Sequence, residues 1–122
     1  MQAQELDFKS GYAVEEWRRM DSSRKKRAIF LMAIDAGLDQ CDRDYVIANL
    51  DFYDRFIEEA HRVVYKGFRH YSGYTIKEFL RHHTSVETTG VLFKINDHIV
   101  PKVTRLSMQM FPMLNNLFET RK

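Results

Sequence analysis

The chain has 122 residues, 44% apolar, 13% aromatic and 30% charged, with a formal net charge of +2. That length suits one domain spanning residues 1–122, and the composition excludes a disordered tail, a collagen-like chain and a disulfide scaffold. Cys41 is the only cysteine, so no intrachain disulfide and no cysteine-based zinc set is expected, and a reducing, cytoplasmic setting is the natural reading.

The opening residues carry Glu5 and Asp7 and lack an apolar stretch, unlike a secretory signal. Val14 to Met20 reads as a short helix with Trp17 as a core anchor. Asp21-Ser22-Ser23 supplies side chains able to accept from the open N–H groups of a first turn. The helix they start, Arg24 to Ala36, stops at Gly37. It contains the longest apolar run, Ala28 to Ile34, far short of the roughly 20 residues of a membrane span, so no membrane partner is expected.

Asp44 to Lys66 gives the strongest helical pattern. Phe52, Tyr53, Phe56, Ile57, Ala60, Val63 and Val64 form one apolar stripe, Asp42 and Asp44 precede it, and Gly67 ends it. Thr75 and Glu78 have the spacing of a capping box, opening a helix to about Val86. Thr88-Thr89-Gly90 is turn-like, and Val91 to Ile95 is a short β-rich stretch. Asn96-Asp97 caps a last helix, His98 to Phe111, with Pro101 in its first turn and Pro112 at its end. Leu117 to Arg121 fits either a strand paired with Val91–Ile95 or a final helical turn, the strand being favoured. The expected fold is mainly α (α+β): a compact bundle of about five helices with one small two-stranded β element, winged-helix-like in outline.

From Thr75 onward, Arg81-His82-His83, Phe93-Lys94-Ile95-Asn96 and Leu117-Phe118-Glu119 resemble a group of small uncharacterised bacterial and phage proteins. The resemblance covers the last 45 or so residues and implies a phage or mobile-element origin, with no activity to carry over.

Charge is segregated along the chain. Residues 1–34 hold seven basic and five acidic residues, residues 35–59 two and eight, and residues 60–122 ten and four, together with all five histidines. A basic half suits a polyanion, since each neutralised phosphate releases a condensed counterion. The competing reading is that the acidic segment folds against it and cancels the field.

Three groups of residues could contact phosphates or bases. Arg24, Lys25, Lys26 and Arg27 place four like charges at a helix start, against the dipole. Lys66, Arg69 and Tyr71 lie in a stretch from Tyr65 to Tyr74 where aromatic and basic side chains alternate, a pattern that serves stacking on unpaired bases. His98, Lys102, Arg105 and Gln109 would share the outer face of the last helix, as in a helix that enters the major groove. Each has a plainer alternative: a solvated run, an inter-helix loop, the polar face of any soluble helix. Adjacent His82 and His83 point about 100° apart and cannot chelate one ion. No catalytic set, metal site or cofactor is expected; a metal-dependent nuclease is the nearest enzyme class. The expected function is nucleic-acid binding, DNA first, by a small phage or mobile-element protein. The alternative is a protein-interaction module, an inhibitor or adaptor acting on a host protein complex. A homodimer is compatible with either, and the methionines at 108, 110 and 113 suit core filling or an adaptable interface.

Overall fold

Local signals account for where most helices begin and end. The computed structural model describes residues 11–88 and 95–118, with the backbone alone over 83–88. Among these residues there are six α-helices: α1 (Val14–Arg19), α2 (Ser22–Met32), α3 (Gln40–Ala48), α4 (Leu50–Tyr65), α5 (Gly73–Thr88) and α6 (Val100–Met110). Short 3₁₀ turns at Asp97–Ile99 and Pro112–Leu114 flank α6.

The Asp21 carboxylate caps α2 by accepting from the Arg24 amide at 2.9 Å, as the sequence suggested. The stop at Gly67 also matches, whereas α2 ends at Met32 and a series of turns leads on to Gly37 at φ +90°. At Gly67, φ is +96° and the Phe68 amide donates back to the Val63 carbonyl at 3.3 Å, closing α4 with a left-handed residue that only glycine adopts without strain.

The expected single helix from Asp44 to Lys66 is instead two. Asp39 caps α3 by accepting from the Asp42 amide at 2.8 Å, so the chain is helical before Asp44. Asn49 then leaves helical geometry at φ −115° and ψ 42°, and its side-chain amide donates to the Tyr45 carbonyl at 2.9 Å. An asparagine that binds its own backbone offers an alternative to the next helical bond. The capping box is also displaced. Helix α5 starts at Gly73, Ser72 Oγ accepts from the Tyr74 amide at 3.1 Å, and Glu78 pairs with Arg81.

The small two-stranded β element is corrected: among the described residues there is no strand and no sheet. The one pairing of that kind is an isolated parallel bridge between Tyr71 and Phe118, with the Tyr71 amide donating to the Leu117 carbonyl at 2.9 Å. Leu117 and Phe118 are drawn to the loop after α4 because both side chains are buried in the core there. Residues 91–94 and 119–121 of the expected hairpin lie outside the described residues, and no described segment forms the wing of a winged helix. The mainly helical character stands.

Helix α4 packs against α1, α3 and α5, and α6 against α2 and α5. Their shared core holds Trp17, Ile29, Tyr53, Phe56, Ile57, Leu106, Met110 and Phe111. Trp17 is the anchor the sequence indicated. Its ring meets Tyr53 and Phe111 edge-on at 6.1 and 5.3 Å, and its Nε1–H donates to Asp54 at 2.8 Å.

One close approach joins α5 to α6. A Cβ on Gly73 would run into Thr104 Cγ2 and lie 3.1 Å from Val100 Cγ1, so glycine is what lets the two helices meet there.

Candidate functional site

The acidic segment does fold against many of the cations. Lys102 is ion-paired with Asp42, and Arg62 pairs with Glu59 at 2.7 Å. Lys25 pairs with Asp54 at 3.1 Å and lies over the Trp17 ring, and Arg18 grips Glu58 through two bonds of 2.7 Å. The Arg18 guanidinium holds the Glu58 carboxyl below the usual carboxylate range. Further along, Lys77 pairs with Asp97 and lowers its pKa, and Arg81 pairs with Glu78. Of the described cations past residue 60, Arg62, Lys77, Arg81 and Lys102 are therefore neutralised by carboxylates. Lys66, Arg69 and Arg105 face no carboxylate within ion-pair distance among the described residues.

Helix α6 is more enclosed than its sequence implied. Val100, Val103, Thr104, Leu106, Ser107 and Met110 are buried, Lys102 and Arg105 are half-buried, and within the helix Gln109 alone is exposed. His98 is exposed, but it sits in the preceding 3₁₀ turn. Helix α3 flanks this end, since the Asn96 amide donates to Tyr45 Oη at 3.2 Å and Asp42 takes Lys102. A recognition helix must project a whole side into the groove, and α6 is held on too many sides for that.

The loop after α4 and the Arg105 side of α6 come together instead. His70 borders three adjoining hollows. One of about 580 Å³ lies between Tyr71–Tyr74 and Val100–Arg105. A second, about 660 Å³, is lined by Asp35, Arg105, Gln109, Asn115 and Asn116. A third, about 310 Å³, takes in Phe68, Arg69 and Met113. Asp35 is the one acidic residue among the described residues lining them. Phe68 and Tyr74 are half-exposed and Tyr71 is half-buried, its ring 5.4 Å from that of Phe68. The surface thus offers flat rings, guanidinium groups and amide side chains with little opposing charge.

The sequence-derived candidates are partly united by this arrangement. Arg69, Tyr71, Arg105 and Gln109 share the hollows, and Lys66 opens the same loop. Arg24, Lys26 and Arg27 are exposed at the start of α2, whereas Arg105 approaches Gly37 beyond that helix's other end, about 15 Å or more away at 1.5 Å per residue. His82 is exposed, and the side chain of His83 lies outside the described residues. Asn115 and Asn116 carry no spacing signal in the sequence, and only the fold brings them beside Arg105. Among the described residues no three His, Cys, Asp or Glu side chains stand close enough to hold a metal ion, and no helix is long and apolar enough to cross a membrane.

A separate hollow of about 520 Å³ is bordered by the paired side chains of Arg18, Glu58, Glu59 and Arg62, and by His61. Nδ1 of His61 bonds the Ile57 carbonyl at 2.8 Å, while Nε2 is buried with no hydrogen-bond partner. Burial holds this imidazole below the ordinary histidine value of 6.5.

No family model, no curated protein and no solved structure matches the chain.

Proposed function

We propose that this protein binds a nucleic-acid strand, most simply DNA, through the loop at 66–74 and the Arg105 side of α6. One observation carries the reading. Past residue 60, the described cations without a carboxylate partner are Lys66, Arg69 and Arg105, and the latter two line hollows that share His70. Rings able to stack on bases stand among charges able to hold phosphates, the combination used on single strands. The enclosure of α6 favours a strand over the groove of a duplex. Lys102, committed to Asp42, leaves the set of contacts.

The test is fluorescence anisotropy with labelled single-stranded DNA, single-stranded RNA and duplex DNA at several salt concentrations. Arg69→Ala with Arg105→Ala should weaken strand binding at least tenfold and reduce the salt slope by about one to two units. Lys102→Ala should leave both unchanged. Equal affinity and equal slope for the wild type and the double variant would overturn the proposal. A protein-interaction role is the second reading, favoured by the half-exposed Phe30, which carries the Arg43 guanidinium over its ring at 4.0 Å, and its exposed neighbours Leu31 and Ile34.

A further inference from the structure

The run from Ala28 to Ile34 is apolar on every side of its helix, a pattern that belongs to a helix covered all round. The fold covers half of it. Ala28, Ile29, Met32 and Ala33 are buried in the core. On the opposite side Phe30 is 49% exposed, Leu31 46% and Ile34 60%. With Arg27 these three follow i, i+3, i+4, i+7 spacing, one outward stripe.

We infer that this stripe is a two-fold contact between two copies of the chain, with the α2 helices antiparallel and crossing at Leu31. The charge pattern selects the occupant. The start of α2 carries exposed Arg24, Lys26 and Arg27, and the segment after it carries exposed Asp35 and Asp39. Arg27 and Asp35 each stand four residues from Leu31. An antiparallel crossing there sets Arg27 of each copy against Asp35 of the other, and the basic end of each helix against the acidic end of its mate. A two-fold contact needs a surface complementary to itself, and this one is. The antiparallel helix dipoles also set each basic start near a negative C-terminal end, which offsets the penalty of four cations at the N-terminus. Three half-exposed side chains and their charged rim make a patch well below the roughly 800 Å² per partner of a stable interface, so the pair is a weak, concentration-dependent one. The contact meets the proposed strand-binding surface only at Asp35, which also borders the hollow beside Arg105, so association is read from mass and not from strand affinity.

Sedimentation equilibrium of the full chain, from about 1 to 200 μM, tests it. The mass should rise from monomer to dimer across that range. Leu31→Lys should weaken association at least tenfold with unchanged circular dichroism. Arg27→Glu alone and Asp35→Arg alone should each do the same, and the two together should restore association. If Leu31→Lys does not fold, Leu31→Cys in a Cys41→Ser background should be crosslinked to a dimer by diamide, since residue 31 meets its own mate on the axis. A monomer at every concentration, whether or not a different protein binds the stripe, would overturn the inference. So would association undiminished by Leu31→Lys, or charge variants that do not rescue each other.

Discussion

Helices α2 and α6 each run eleven residues, and their neighbours give them opposite fates. In the sequence α6 carries the polar outward side and α2 the uninterrupted apolar run. In the fold α6 is surrounded, with Lys102 neutralised by Asp42, and α2 with the turn after it shows Phe30, Leu31 and Ile34 to solvent. A polar stripe marks an available surface only when nothing packs over it, and an apolar run marks a core only when enough protein surrounds it. Both conditions are tertiary, and the residues of the helix itself do not carry them.

The largest expected effect separates the two helices directly. Leu106→Ala, at a fully buried position on α6, should cost about 2–5 kcal/mol, whereas Leu31→Ala on α2 should cost about 1 kcal/mol or less in dilute solution. Urea unfolding of both variants measures this, and equal losses would break the contrast. Next comes the junction beneath the candidate surface. Gly73→Ala pushes a methyl group into Thr104 and should cost about 1–3 kcal/mol, with Thr104→Ser as a second change that recovers part of the loss.

Lys102 and Arg105 sharpen the comparison within α6. Lys102→Ala should lower stability by up to about 1 kcal/mol through the lost Asp42 pair, discounted for its partial exposure. Arg105→Ala should stay within about 0.5 kcal/mol and show its effect in strand binding instead. The smallest effect belongs to His61. Its folded pKa lies below 6.5, so as pH falls the unfolded chain takes up the proton first. Stability from this group is full above that value and declines as pH drops toward the folded pKa. The fall in melting temperature between about pH 7.5 and pH 5.5 should be smaller in His61→Leu, which also removes the unpaired Nε2.

What could be read from the sequence was local. The Asp21 cap, the stop at Gly67, Pro101 in a first turn and the buried side of α6 each depend on residues within a turn or two of one another. The break at Asn49 was hidden because apolar residues continue on both sides of it, and one side-chain bond to Tyr45 decides it. The expected strand at Leu117 failed because Tyr71, far earlier in the chain, takes its carbonyl. The site was half legible. The aromatic and basic loop was visible as a pattern, but that Arg105 would join it, while Lys102 three residues away would be claimed by Asp42, depends on a pairing across sixty positions.

The contact at Gly73 bears on how such a surface would choose its ligand. With no room for even a methyl group between the start of α5 and Thr104, the loop wall and the α6 wall of the hollow of about 580 Å³ meet in direct contact. Selection would then rest on a shape already present before the encounter, because walls already in contact cannot draw closer to tighten on a small guest.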